Sequence, residues 1–161
     1  MTYIPKYMTA LAAGIDLPAA EFGVLPVGGS VVVDTGIKLV DLLSENNLND
    51  LVTGNHSGWI PNDFILESQV RPRSGLAAKH GVVAMLGTID LDYKDTIKVI
   101  LFNLGKEKYE IHPGDRVAQL VFALVYRPAH LLTSTERTGG LGSSGIKSEE
   151  TQDEQPKDAE S

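Results

Sequence analysis

Along most of this chain apolar and polar side chains alternate, so the dominant period is two and not 3.6. The clearest runs are "SVVVDTGIKLV" (30–40), "TIKVILFNL" (96–104) and "RVAQLVFALVY" (116–126). They are rich in β-branched and large apolar residues and predict strands with one face on a core. Turn signals separate them: "PVGGS" at 26–30, "NLGKEKYE" at 103–110 and "HPGD" at 112–115. No segment of helical length carries a 3.6-residue apolar stripe. The nearest, "VDLLSENNLNDLV" (40–52), predicts a short helical or irregular insertion over about 42–58, closed by "TGNHSG" before "WIPNDFILESQV" returns to strand. The pattern predicts an all-β architecture, a compact sandwich or jelly roll.

Length and composition agree with that. The 161 residues suit one domain with a sizeable core, and 16 glycines with 8 prolines fit many turns. The absence of cysteine excludes disulfides, thiolate metal sites and cysteine nucleophiles. No apolar run approaches the ~18 residues of a membrane span. The opening "MTYIPKYMTA" lacks the basic and apolar segments of a signal peptide, so a cytoplasmic protein without membrane association is expected.

Net charge is −7, unevenly spread: the last sixteen residues hold six acids and two lysines, leaving −3 on the rest. That tail, 146–161, is polar and free of aromatics, which predicts disorder. No basic stripe points to nucleic acid. An anionic ligand would need a few local cations, a metal ion or backbone amides. His56, His80, His112 and His130 are scattered without metal-ligand spacing.

Five segments place glycine or charge where a strand should end cleanly: "AAGIDL" (12–17), "RPRSGLAAKHG" (71–81), "GTIDLDY" (87–93), "GDRVAQLVF" (114–122) and "RTGGLGSSG" (137–145). Singly, each has a plain structural reading as a capped turn, a surface bend or a flexible linker. In this order they resemble the five signature motifs of the homotrimeric dUTPase family (dUTP diphosphatases). The matched spans make up roughly a quarter of the chain, and the resemblance extends over about residues 4–145.

The resemblance implies a distorted jelly-roll β-barrel of the dUTPase type that assembles as a homotrimer, with three active sites built from motifs of all three chains. It implies hydrolysis of dUTP to dUMP and pyrophosphate with Mg²⁺, which limits uracil incorporation into DNA and supplies dUMP for dTMP synthesis. It divides the chain into a β domain (1–136), a mobile glycine-rich arm (137–145) and the acidic tail (146–161). Family members usually carry a further strand before "IPKYMTALAAGIDL"; here either that strand is missing or another element covers the exposed edge.

Residue by residue, Asp90 matches the family's water-activating carboxylate, whereas Asp92 suits a cap on the same hairpin turn. Tyr93 would lay its ring under the deoxyribose and leave no room for a 2′-hydroxyl; as a plain alternative it covers the core. Backbone groups around Ala84, Gly87 and Ile89, on a hairpin arm, would read the acceptor–donor–acceptor edge of uracil. A mismatched base there leaves buried groups unpaired at about 1–3 kcal/mol each. Arg73, Ser74 and Gly75 match the motif that contacts the phosphate chain from a neighbouring subunit. Gln119 matches the residue that holds the α-phosphate and the attacking water. Asp16 would bind Mg²⁺ through water, or else cap a turn. Arg116 suits an ion pair with a carboxylate across the interface. In the arm, Gly139, Gly140, Gly142 and Gly145 would let the backbone wrap over the γ-phosphate, with contacts from Arg137, Ser143 and Ser144.

Two other functions fit parts of this pattern. One is a dCTP deaminase-like enzyme of the same fold; the other is a nucleotide-gated regulatory binding module, with a protein partner at the insertion or tail. Leu141 departs from the family, which usually has a phenylalanine stacked on uracil there. Ring stacking on a base is worth about 1–3 kcal/mol. Leu141→Phe should therefore tighten dUTP binding, read as a lower KM; an unchanged KM would show that residue 141 does not touch the base.

Overall fold

The structure, a computed structural model, describes residues 5–43 and 64–128. The elements run β1 (Gly14–Pro18), β2 (Gly23–Leu25), β3 (Ser30–Lys38), α1 (Leu39–Leu42), β4 (Phe64–Arg71), α2 (Ser74–His80), β5 (Val82–Ala84), β6 (Gly87–Ile89), β7 (Thr96–Asn103), β8 (Tyr109–Ile111) and β9 (Arg116–Tyr126). They form antiparallel sheets in the orders β1-β9-β4-β6, β3-β7-β5 and β2-β8. This is the expected all-β jelly-roll architecture.

The alternation in the sequence becomes the two faces of each strand. In β7, Ile97, Val99, Leu101 and Asn103 are buried, while Lys98 and Phe102 are exposed. Val33, Thr35 and Ile37 of β3 meet that inner face. Leu17, Val70, Ala118 and Leu120 supply the other wall, from the sheet centred on β9. β9 spans the residues that its alternation predicts, and β3 does so up to Lys38, where α1 begins.

Two local features differ from the expectation, and a third lies mostly outside the described residues. Residues 74–80 form a helix. Leu76 packs on the core, alanines and Lys79 favour the conformation, and Gly81 ends it at φ +68° with its N–H donating to the Ala77 carbonyl. Seven residues are too few to display a periodic stripe, so the pattern hid it. The insertion expected from 42 is preceded by the single turn of α1, and residues 44–63 lie outside the described segments, as do the arm and the tail.

The expected hairpin arm is the second difference. β5 pairs with β7 and β6 pairs with β4, so consecutive strands enter different sheets, with exposed Met85 and Leu86 between them. At the other end, Tyr7 forms a bridge with Ile15 and lies along the outer edge of β1.

Asn103 ties the layers together. Fully buried, it donates from Nδ2 to the carbonyls of Leu25 (3.2 Å) and Glu107 (2.8 Å), and its Oδ1 accepts from the Gly105 N–H (2.9 Å). Replacing Asn103 with leucine leaves these backbone groups unpaired, a penalty of about 1–3 kcal/mol for each that water cannot reach. Asn103→Leu should lower the urea midpoint by about 2–4 kcal/mol equivalent at an unchanged m-value; a midpoint within error of the parent would refute this role.

Candidate active site

The site begins with the β9 ladder. In register, Gln119 has Asp16 of β1 as its partner on one side and Arg71 of β4 on the other. Three segments far apart in sequence thereby meet on the sheet face opposite the core. The chain leaving β4 passes through Pro72, and Gln119 Nε2 donates to the Pro72 carbonyl at 3.0 Å. Arg73 follows as the residue immediately before α2, with extended dihedrals of −99° and 121°.

Charge organises this cluster. Asp16 Oδ1 accepts from Arg73 Nε at 2.9 Å, and its Oδ2 accepts from Arg116 Nη1 at 3.1 Å. Arg73 Nη1 also donates to the Arg116 carbonyl at 2.9 Å. The Asp16 side chain is 13 % exposed, against 28 % for Arg73 and 46 % for Arg116. One carboxylate between two guanidinium groups leaves a net positive cluster on an acidic chain. Arg116, expected to pair across an interface, finds its carboxylate within its own chain.

Asp16 was also a candidate for magnesium. Direct coordination there would set a divalent cation beside two guanidinium groups. Each oxygen nevertheless keeps a further lone pair that can accept from a cation-bound water. Among the described residues no group of three or more His, Asp or Glu could cage a metal ion. The donor set therefore fits a magnesium ion that brings its own waters and anionic ligand, and does not fit a protein-caged one.

Ser74 and Gly75 are exposed in the first turn of α2, where helix N–H groups lack intrahelical acceptors. A Cβ added at Gly75 would meet nothing within 4 Å, so the fold of this chain does not demand glycine there.

The remaining described candidates lie elsewhere. Ala84 and Ile89 point into the core, and Gly87 is partly exposed. β5 and β6 are edge strands of their respective sheets, so two strand edges flank the Met85–Leu86 crossing. After β6 the chain turns, with the Tyr93 N–H donating to the Asp90 carbonyl at 3.1 Å. Leu91 and Tyr93 are buried at 7 % and 8 % exposure, and Asp90 and Asp92 face outward. The Tyr93 hydroxyl donates to the Thr96 carbonyl at 3.3 Å, which fixes the ring from both ends.

The two groups are well separated. Ile89 pairs with Ser68 and Gln119 with Arg71, three residues further along β4 and on its opposite side. At ~3.4 Å per residue and ~4.8 Å per strand, their backbones stand about 14 Å apart. The structure thus brings Asp16, Arg73 and Gln119 together, with Ser74 and Gly75 next to them, and leaves Asp90 and Tyr93 apart from that group. Arg137, Leu141, Gly142, Ser143 and Ser144 lie outside the described residues. Pro72 and Gly14, which enclose the Gln119 side chain, were not among the sequence candidates. Gly14 sits inside "AAGIDL", and its lack of a side chain was the available signal.

Comparison with known proteins points to one family. The dUTPase family model matches residues 51–148. The chain is 43 % identical over 155 residues to a deoxyuridine 5′-triphosphate nucleotidohydrolase of Beijerinckia indica, covering 88 % of this chain and 82 % of that one. It is 38 % identical over 152 residues to the enzyme of the same name from Rickettsia felis, covering 89 % of this chain and 88 % of the relative. Among solved structures, a dUTPase from Streptococcus mutans superposes with a TM-score of 0.54 at 27 % identity, over 81 % of this chain and 88 % of that one. A dUTPase from phage phi11 of S. aureus, described with a structural Mg(II) ion, superposes at a TM-score of 0.61 over 84 % of this chain and 91 % of that one; at 20 % identity it speaks for the fold alone. With motifs, fold and relatives in agreement, the chain belongs to the dUTPase family.

Proposed function

We propose a residue-level reading of dUTP hydrolysis by this chain, a dUTP diphosphatase by family. The observation that carries it is the separation just described. One group of residues suits phosphate and the other suits base and sugar, yet about 14 Å divides them on a single chain. Asp90 and Gln119 are both assigned to one attacking water, so their separation supports a site that joins Gln119 of one chain to Asp90 of another, as in the homotrimer with shared sites that the family motifs imply.

In this reading a water attacks the α-phosphorus in line, and the Asp90 carboxylate accepts its proton. The bond from the α-phosphorus to the bridging oxygen breaks, and pyrophosphate leaves with that oxygen's electrons. Gln119 holds the α-phosphate and the water. Arg73, Ser74 and the Gly75 N–H contact the phosphate chain, and Arg116 keeps Asp16 paired when Arg73 turns to the substrate. Asp16 would hold a magnesium ion through water, and the ion would supply neutralisation of phosphate charge.

Uracil is read by main chain at the β5 and β6 edges, near Ala84, Gly87 and Ile89. These strands are not paired to each other, which supports an edge-on ligand in place of a closed hairpin. Tyr93, anchored at both ends, is a rigid wall beneath the sugar, with less than a tenth of its surface left to meet it. Arg137, Leu141, Gly142, Ser143 and Ser144 would close over the bound nucleotide.

The deciding experiment is pyrophosphate release from dUTP, UTP, dTTP and dCTP, run beside a measurement of solution mass. The expected result is a trimer that cleaves dUTP far faster than the other three. Asp90→Asn should lower kcat by about 10²–10⁴-fold with the mass unchanged. An active monomer, equal cleavage of UTP, or ammonia release from dCTP would overturn the reading.

Gly75 offers a second test. Alanine suits a helix better than glycine by about 1 kcal/mol, and nothing in the chain crowds it. Gly75→Ala should keep or raise Tm while raising KM for dUTP by about tenfold, or ~1.4 kcal/mol. An unchanged KM would remove Gly75 from the phosphate site.

A further inference from the structure

Gly14 is not glycine for the sake of its backbone, because the positive-φ glycines of the described chain are Gly28, Gly36, Gly81 and Gly114. Its neighbour accounts for it. A Cβ at Gly14 would lie 2.6 Å from Gln119 Oε1, 3.2 Å from Gln119 Cδ and 3.3 Å from Gln119 Cβ. The Gln119 side chain, rooted opposite Asp16, lies across the bare Cα of Gly14 and donates from Nε2 to the Pro72 carbonyl at 3.0 Å.

We infer that Gly14 is a positioning residue for Gln119: its missing side chain is the space in which the catalytic amide is held. The inference rests on the reading of Gln119 as the group that holds the α-phosphate and water. An amide offers two N–H donors and one carbonyl oxygen. Pro72 takes one N–H, so the second N–H and Oε1 are the groups left for phosphate and water. Their direction is set by the enclosure between β1 and the segment after β4. The worst overlap falls on the far end of a flexible side chain, which can swing away. The added methyl therefore displaces the amide before it disturbs the fold.

The test is a double-mutant cycle of Gly14→Ala and Gln119→Ala, reading kcat, KM and Tm for dUTP hydrolysis by the full chain. Gly14→Ala should lower kcat by roughly 10–100-fold, the usual consequence of an ångström-scale misplacement, with a much smaller change in KM. In the Gln119→Ala background the same substitution should cost nothing further in kcat, because the amide it displaces is gone, and should change Tm only by what the remaining 3.3 Å contact with Cβ of residue 119 costs. This non-additivity is what a merely structural glycine would not show, and it decides the matter even if Gly14→Ala alone lowers Tm. Wild-type kcat in Gly14→Ala, or losses that add, would overturn the inference while leaving Gln119 in its role. A Gln119→Ala enzyme with undiminished kcat would overturn the role of Gln119 and the inference with it.

Discussion

Strand β9 is hydrogen-bonded along both edges, and the Asp16–Arg73–Gln119 cluster exists because of that double pairing. A one-residue slip in either ladder would turn Gln119 or Asp16 to the other face of the sheet. The core prevents it. Leu17, Ala118 and Leu120 are fully buried and Val70 nearly so, and any slip would drive one set of them into water at about 1.5–3 kcal/mol for each large side chain. Site geometry is thus held by apolar side chains that never touch the site.

The ion pairs at Asp16 do a different job. Pairs this exposed contribute about 0–1 kcal/mol each, so they add little to stability. Their effect is orientation: Arg73 is held at Asp16 Oδ1 and at the Arg116 carbonyl. Arg116 occupies the second carboxylate oxygen, so Asp16 keeps a cationic partner if Arg73 turns to another anion. A positive cluster on a chain of net charge −7 also gives an anionic ligand a defined place to bind.

The crossing between β5 and β6 exposes main-chain groups instead. At Met85–Leu86 the polypeptide leaves the β3-β7-β5 sheet and enters the β1-β9-β4-β6 sheet, and it contributes an edge strand to each. Edge strands usually invite unwanted pairing. Here both are three residues long, which limits that hazard and leaves short arrays of donors and acceptors suited to a flat polar ligand.

The sequence by itself determined the all-β character, the limits of β9 and most of β3 and β7, because period-two burial and turn residues are local properties. The quoted motifs also led to the family. The helix at 74–80 was hidden because seven residues are too short for a stripe, and its stability comes from Leu76 on the core and the left-handed Gly81 cap. Only the tertiary structure paired Asp16 with both arginines, set Gln119 against Gly14 and Pro72, and separated β5 from β6. Each of these depends on strand partners dozens of residues away, whose register is chosen by burial across the whole sheet, and a linear pattern of apolar and polar residues does not contain that choice.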